Sequence, residues 1–283
     1  MLVNIKEMTQ RALKEKYAVP HFNINNLEWT RYVLESCEEM RSPVILGVSE
    51  GAAKYMGGFK TIVNLVKGLI EDLKITIPVC LHIDHGNSFE TCKKAIDAGF
   101  TSVMIDASNY SLEKNINITK QVVEYAKKSN VTVESEIGHI GDADDNTSKE
   151  IAYANVDDVL KLVNETNVDL VAPALGSVHG LYKGEPKLNF EKMKEISNSV
   201  KIPLVLHGGT GLYDEQIKTS ILCGVAKINI NTDLQIAWSN EVKKYINENP
   251  KVYDPRKIIG SGKIAIQEKI KEKIILFGSN NKY

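Results

Sequence analysis

The chain has 283 residues, of which 43% are hydrophobic and 25% charged, as in an ordinary globular protein with enough apolar residues for a full core. Its 35 basic and 36 acidic side chains give a formal net charge of -1, so we expect neither nucleic acid nor an anionic membrane as a partner. No apolar stretch approaches the ~20 residues that span a bilayer, and the first residues lack a signal-peptide core; the sequence predicts a cytoplasmic protein.

An amphipathic segment at residues 5–16 opens the chain and predicts a helix that plugs one end of a barrel. Short runs rich in Val, Ile and Leu then alternate with helical patterns, which is typical of parallel strands joined by crossover helices. Eight strands are predicted, over residues 18–24, 43–49, 78–84, 102–107, 132–137, 170–175, 203–206 and 226–231. The helices between and after them are predicted over residues 27–40, 58–73, 89–98, 112–129, 156–165, 190–197, 215–223 and 234–247.

The end of the chain continues this pattern without a change of composition. Asp254-Pro255 is expected to break the chain before a terminal helix over residues 264–277. Eight alternations predict an α/β protein, a single (β/α)8 TIM-barrel domain over residues 1–283 with an N-terminal plug helix and a C-terminal helical extension. One polar loop, residues 138–149, is long enough to act as a lid.

The cysteines carry no sign of a shared site. Cys37, Cys80, Cys92 and Cys223 are scattered and form no CxxC pair. We expect reduced, buried thiols rather than disulfides or metal ligands.

Polar side chains stand at every predicted strand end, where the active site of such a barrel lies. They are Asn23, Asn25, Ser49, Asp84, His85, Asp106, Glu134, Glu136, His179, His207, Asn229, Asn231 and Thr232. Three of them, His85, His179 and His207, follow different strands and predict a three-nitrogen metal site with a fourth position open to substrate.

The remaining histidines receive a structural interpretation. His21 and His82 fall within predicted strands, and His139 falls on the polar loop. Each is expected to be buried or solvated rather than a ligand.

Glycines and amides after the last two strands give a second signal. Gly208-Gly209-Thr210-Gly211 precedes a helix that begins near Tyr213, so its backbone N–H groups can face an anion at a helix N-terminus. Asn229-Ile230-Asn231-Thr232 follows strand eight, the other half of the usual barrel phosphate site. Together they predict a phosphorylated substrate.

A metal beside a phosphate leaves hydrolysis, enolisation and carbon–carbon cleavage open. A Schiff-base aldolase would need a lysine at an inner strand position. Strand six carries none, and Lys227 lies near the start of strand eight. A metal, not an imine, would then have to stabilise a carbanion.

Several stretches of this chain resemble the class II, zinc-dependent fructose-bisphosphate aldolases of the bacillary type. They are SPVILGVSEG at 42–51, YMGGFKT at 55–61, APALGSVHG at 172–180 and YDPRK at 253–257. The resemblance covers nearly the whole chain. It implies reversible cleavage of fructose 1,6-bisphosphate to dihydroxyacetone phosphate and glyceraldehyde 3-phosphate.

The resemblance also implies roles for individual residues. His85, His179 and His207 correspond to ligands of the catalytic Zn2+, and Asp84 to the proton donor to the aldehyde oxygen. A second, displaceable divalent metal corresponds to Asp106 and Glu136. Asn23 corresponds to a substrate-binding residue, and Ser49 and Arg256 correspond to contacts with the far phosphate. The residues that correspond to those around the phosphate of dihydroxyacetone phosphate are Gly180, Lys183, Gly208, Gly209, Thr210, Asn229, Ile230, Asn231 and Thr232. A monovalent cation, K+ or Na+, near the last two loops and a homodimer or homotetramer are implied as well.

Two positions depart from the family pattern. The family loop Gly-Gly-x-Glu-Asp reads Gly141-Asp142-Ala143-Asp144-Asp145 here, so the base that takes a proton from dihydroxyacetone phosphate corresponds to Asp144, one methylene shorter. Asn109 stands where bacillary relatives usually carry histidine, with no consequence that can be derived from the sequence.

Other functions share parts of this pattern. Tagatose-bisphosphate aldolases and the aldolases of inositol breakdown resemble the chain too, but Asn231 favours the fructose type over the first, and residues 50–53 with 254–257 favour it over the second. A metal-dependent hydrolase would show the same histidines without needing Arg256. A weak aldolase retained as a binding protein is suggested only by Asp144.

Overall fold

The structure is a computed structural model that describes residues 2–138, 140, 153–182 and 184–283. Eight parallel strands pair in chain order, and the last pairs with the first, so the sheet closes into a barrel. The strands are β1 Val19–Asn23, β2 Val44–Ser49, β3 Val79–Gly86, β4 Ser102–Ile105, β5 Thr132–Ile137, β6 Leu170–Pro173, β7 Leu204–Leu206 and β8 Val225–Ile230. The predicted (β/α)8 fold is confirmed.

Most helices follow the strands around the outside of the barrel, whereas the first helix precedes β1 and packs across one end. Within the described residues they are α1 Lys6–Glu15, α2 Leu27–Glu39, α3 Glu50–Tyr55, α4 Phe59–Asp72, α5 Phe89–Ala98, α6 Leu112–Lys127, α7 Val156–Thr166, α8 Phe190–Val200, α9 Asp214–Leu222, α10 Thr232–Glu248, α11 Pro255–Gly260 and α12 Lys263–Leu276. Many begin at a side chain that accepts a backbone N–H: Ser88 and Ser111 cap α5 and α6 in this way.

Two short helices were not predicted. Ser49 ends β2 and at the same time caps α3, and Asp254 caps α11 with Pro255 in its first turn. Asp254-Pro255 is therefore a helix start and not only a break, because proline is well tolerated at the first helical position. Each helix has six residues, too few to show a hydrophobic period.

The apolar core has two parts. The larger lies between the strands and the outer helices. The smaller lies inside the barrel, where Met8 and Ala12 of α1 pack with Ile45, Cys80 and Leu170 of the strands. One end of the barrel interior is thus apolar, and polar residues of the site begin beyond it.

The four cysteines are free. Cys37, Cys80 and Cys92 are buried, as predicted, but Cys223 is only partly buried because it lies at the C-terminal end of α9. Among the residues that the structure describes, no helix combines the length and the apolar character needed to cross a bilayer.

Candidate active site

His85 reaches the barrel mouth because β3 is irregular at its end. The pairing of β3 with β4 shifts register between Ile83 and Gly86. His85 itself has a φ of 52°, in the left-handed region that side chains other than glycine rarely adopt. Such bulges redirect side chains beside active sites. Here the bulge aims the imidazole toward β7.

Three histidines from three strand ends meet at this point. Ligand atoms of His85, His179 and His207 all lie within 4.8 Å of one another. His85 Nε2 is 3.0 Å from His207 Nδ1, and the other nitrogen of each ring faces a carboxylate: His85 Nδ1 is 2.9 Å from Asp106 Oδ2, and His207 Nε2 is 3.0 Å from Glu134 Oε1. Each carboxylate accepts an N–H and leaves the opposite nitrogen directed at the centre of the group.

The charges around these rings fit a cation. Burial disfavours a charged His85, but the hydrogen bond to Asp106 and the charge of Asp84 outweigh it and raise the pKa of His85 to about 9. Burial and the neighbouring His85 hold the pKa of His207 well below its usual range. His85 Nε2 and His207 Nδ1 lie 3.0 Å apart, so one hydrogen lies between them. A divalent cation held by these nitrogens would replace that hydrogen, and three imidazoles are a donor set that zinc accepts.

Asp84 lies beside the histidines as a buried carboxylate. Its Oδ2 accepts from Asn23 Nδ2 at 2.8 Å, and its Oδ1 accepts from Asn229 Nδ2 at 3.2 Å. Burial opposes the charged form, yet the nearby His21, His85, His207 and Lys227 outweigh it and hold the pKa of Asp84 well below its usual range. The group is therefore an oriented anion at neutral pH.

Asp106 and Glu136 lie behind His85 rather than in the cavity. With His85 they form a second group of possible metal ligands whose atoms lie within 4.8 Å of one another. Glu136 Oε2 is 3.7 Å from His85 Nδ1, and burial together with the charge of Asp106 raises the pKa of Glu136 to about 8. Ser108 donates its hydroxyl and its backbone N–H to Asp106 Oδ1. The pair can orient His85 or hold a metal with it.

The glycine-rich turn after β7 approaches neighbouring backbone closely. Gly208 has a φ of 66°, and a Cβ there would lie 2.1 Å from the carbonyl oxygen of Val178. Thr210 Oγ1 accepts from Asp233 N at 3.3 Å, which ties the turn to the first turn of α10. The helix N-terminus at the cavity is that of α10 and not, as predicted, that of α9.

One cavity of about 210 Å³ gathers most of the predicted site. It is lined by Asn23, Asn25, Ser49, Asp84, His85, His179, Gly180, His207, Gly208, Gly209, Thr210, Asn229, Asn231 and Thr232. A larger cavity of about 580 Å³ lies at the opposite end of the strands, between α1 and residues such as Pro78. Neither of the two candidate metal groups found among the described residues lines it, so we place the chemistry in the smaller cavity.

Some predicted residues do not line this cavity. The side chain of Ile230 lies in the core outside the barrel. The side chain of Arg256 is 89% exposed, pairs with Asp254 and lies outside the cavity lining. Asp144 and Lys183 fall outside the described residues, as does His139. The structure therefore brings together the histidines, Asp84 and the glycine turn.

Glu134 and Lys227 were missed as site residues. Glu134 was noted only as a polar strand end and Lys227 only as an amine unsuited to an imine. Lys227 Nζ is 2.8 Å from Glu134 Oε2, and both side chains are fully buried inside the barrel. The available signal was a charged residue within each of two strands; their spacing along the chain does not show that they meet across the barrel.

Three histidines beside a glycine-rich turn at the mouth of a (β/α)8 barrel are typical of metal-dependent enzymes that act on phosphorylated compounds. A family model described as Fructose-bisphosphate aldolase class-II matches residues 3–282. The chain belongs to that family.

Individual relatives align over nearly the full length. A fructose-bisphosphate aldolase of Geobacillus stearothermophilus is 57% identical over 99% of this chain and 98% of its own length. One of Staphylococcus aureus strain Mu50 is 54% identical over 99% of both chains. The crystal structure of the YdjI aldolase from Escherichia coli K12 covers 100% of this chain and 99% of its own with a TM-score of 0.87 at 35% identity.

Proposed function

We propose that this chain catalyses the reversible aldol cleavage of fructose 1,6-bisphosphate to dihydroxyacetone phosphate and glyceraldehyde 3-phosphate. The observation that carries the proposal is the convergence of His85, His179 and His207 beside an oriented Asp84 carboxylate. Membership of the class II family supports it. Class II aldolases are generally zinc-dependent, and we propose Zn2+ as the metal here.

Asp84 is the group that moves the proton of the reacting hydroxyl. In the cleavage direction its carboxylate takes the proton from the C4 hydroxyl as the C3–C4 bond breaks and the aldehyde forms. In the condensation direction it returns that proton to the aldehyde oxygen. The amides of Asn23 and Asn229 hold the carboxylate in one orientation for both steps.

A Zn2+ at the three histidines would supply Lewis-acid stabilisation of the negative charge left on the dihydroxyacetone half. We propose Asp144 as the group that returns a proton to this half in cleavage and removes it in condensation. Asp106 and Glu136 are proposed as an alternative divalent-metal position, with K+ or Na+ near the loops after β7 and β8.

The two phosphates are proposed to bind at opposite ends of the cavity. Gly180, Lys183 and the Gly208–Thr210 turn, with Asn229 to Thr232, would hold the phosphate of the dihydroxyacetone half. The first turn of α10 faces the cavity and offers N–H groups to an anion. Ser49 and Arg256 are proposed for the phosphate of the glyceraldehyde half.

We propose the fructose epimer as the preferred substrate, because Asn231 lines the cavity and the tagatose-type aldolases commonly carry alanine at the corresponding position. Tagatose 1,6-bisphosphate and an inositol-pathway substrate are the alternatives within the family. We further propose a cytoplasmic homodimer or homotetramer that acts on free sugar phosphates.

Cleavage assays test the proposal. Purified protein should split fructose 1,6-bisphosphate faster than its tagatose epimer, lose activity on exhaustive chelation and regain it with Zn2+. Cleavage that survives complete metal removal would overturn the metal mechanism. Release of inorganic phosphate without triose phosphates would instead identify a hydrolase.

A further inference from the structure

A buried ion pair inside the barrel contacts His207 from behind the metal site. Glu134 on β5 accepts from Lys227 of β8 through Oε2 at 2.8 Å and from His207 Nε2 through Oε1 at 3.0 Å. The Glu134 and Lys227 side chains have no solvent exposure, and that of His207 has 1%. Each oxygen of the carboxylate thus has one partner.

Stability does not account for this arrangement. Burying a carboxylate and an ammonium costs several kcal/mol per ion, and well-packed apolar residues usually stabilise such a position as well or better. Apolar residues occupy the lower part of the same barrel interior, around Ile45, Cys80 and Leu170. An ion pair directly above that layer therefore points to a requirement of the site.

We propose that Glu134 is a positioning residue for the metal ligand His207 and that Lys227 fixes the Glu134 carboxylate for this task. The inference rests on the metal site of the proposed function. A carboxylate that accepts the N–H of a ligand histidine fixes both the ring orientation and the tautomer. With Nε2–H held by Glu134, His207 presents Nδ1 toward His85 Nε2 and the cavity.

Lys227 fixes the orientation of the Glu134 carboxylate. His82 Nε2 lies 3.7 Å from the same oxygen that Lys227 contacts, and the carboxylate could turn toward it. The ammonium group at 2.8 Å holds that oxygen and leaves Oε1 for His207. The ammonium is buried and paired with this carboxylate, so we assign Lys227 a structural and electrostatic role rather than that of an imine-forming nucleophile.

Glu134→Gln is the sharpest test. The amide is the same size, but it cannot accept from both His207 and Lys227, because one of its two ends is now an NH2 donor. We expect Zn2+ affinity, measured by competition with a chromophoric chelator, to fall about 10- to 100-fold. The Co2+-loaded variant should also show an altered visible absorption spectrum, a signature that lower stability alone does not produce.

A double variant restores the contact without the charges. In Glu134→Gln/Lys227→Met the amide oxygen is free to accept from His207, and no ammonium opposes the NH2 group. We expect it to recover most of the lost Zn2+ affinity. If the single variant fails to fold, the neutral pair still tests the idea by comparison with Glu134→Leu/Lys227→Met, in which leucine offers His207 no acceptor. Zn2+ affinity lower in the glutamine variant than in the leucine variant would contradict the proposal.

Thr119→Val is the matched control. Thr119 is buried and contacts Ser135, the neighbour of Glu134 on the opposite face of β5. The variant loses two buried hydrogen bonds, to Ser135 and to Asn115, without contacting the ion pair. Its apo protein should unfold at lower denaturant concentration while Zn2+ affinity stays within about twofold of the parent.

The parent protein offers a measurement that needs no substitution. In a zinc-loaded sample with 15N-labelled histidine, His207 should carry its hydrogen on Nε2. A bare Nε2 would overturn the proposal, as would parent-like Zn2+ affinity in Glu134→Gln. Failure of the parent to bind Zn2+ at all would instead refute the proposed metal site, so the two failures are distinguishable.

Discussion

At the scale of single residues, hydrogen bonds between buried side chains orient the groups of the site. Asp84 accepts two amide N–H groups, and His85 and His207 each donate to a carboxylate. These contacts set which atom faces the cavity. They also offset the free-energy cost of burying these polar groups, which are tolerated in the interior only when they are paired.

Asp84→Asn should separate proton transfer from metal binding. The amide keeps the shape but cannot take the hydroxyl proton, so we expect kcat to fall about 10²- to 10⁴-fold. Zn2+ content, measured on the same preparation, should stay close to that of the parent. If the variant loses its metal, Asp84 is a ligand and not the proton-transfer group.

Gly47→Ala should reveal how tightly the interior is packed beneath Asp84. A Cβ at Gly47 would lie 1.5 Å from His21 Nε2, and His21 is fully buried. We expect urea unfolding to show a loss of about 1–3 kcal/mol, the usual cost of overpacking. His21→Ala should relieve part of that loss in the double variant.

Gly68→Ala is the control for the Gly47 substitution. Gly68 lies on the exposed side of α4 with nothing within 4 Å of its would-be Cβ. Alanine there should be neutral or stabilise by up to ~1 kcal/mol. Equal destabilisation at both glycines would show that His21 is not the cause.

At the scale of elements, hydrophobic patterns predicted all eight strands and the helices between them, with ends shifted by a few residues. What the patterns did not contain was the short capped helices α3 and α11, the bulge at His85 and the meeting of Glu134 with Lys227. Caps and bulges are set by one or two residues. Contacts across a barrel depend on closure, which the spacing along a chain does not encode.

Asp144, the proposed base, belongs to residues 141–152, which the structure does not describe. Its role can be tested by measuring proton exchange. Exchange of the C1 proton of dihydroxyacetone phosphate with deuterated water follows enolisation alone. Asp144→Ala should slow this exchange strongly, and Asp144→Glu should keep it or raise it. Parent-rate exchange in Asp144→Ala, with slow exchange in Asp142→Ala or Asp145→Ala, would move the base to a neighbour.

Helix α11 carries the proposed contact to the second phosphate. Arg256 is exposed, and its surface ion pair with Asp254 would have to open or be shared when an anion arrives from outside the cavity lining. Arg256→Ala should raise KM for fructose 1,6-bisphosphate much more than for fructose 1-phosphate, since a guanidinium binds phosphate in a bidentate fashion. Lys257→Ala should affect neither sugar, and equal losses for both sugars in Arg256→Ala would rule the role out.

At the scale of the whole molecule, one barrel places the three-histidine cluster, the Asp84 carboxylate and the glycine-rich turn at the same end of eight strands. The opposite end is closed by apolar packing of α1. That division lets stability and chemistry occupy different halves of the barrel. The organisation of residues 1–283 as a single domain stays a prediction.

The cysteines report on the stability of this whole barrel. Burial raises the pKa of Cys80 and of Cys92 to about 12, and it also raises the pKa of Cys37. Cys223 is only partly buried. At pH 8 an alkylating reagent should therefore modify about one thiol in the native protein and all four after unfolding, because buried thiols react only when the structure opens.

Metal binding should then slow the labelling of Cys80 but not that of Cys223. A ligand held only by the folded barrel lowers the population of open states in proportion to 1 + [Zn2+]/Kd, and Cys80 lies in the interior core beside α1. Mass spectrometry of the modified thiols, with and without Zn2+, measures both rates in one sample. Chelation should return Cys80 to its faster rate. Equal slowing at both thiols would mean that Zn2+ acts on the thiols or the reagent directly, and that the histidine centre does not stabilise the barrel.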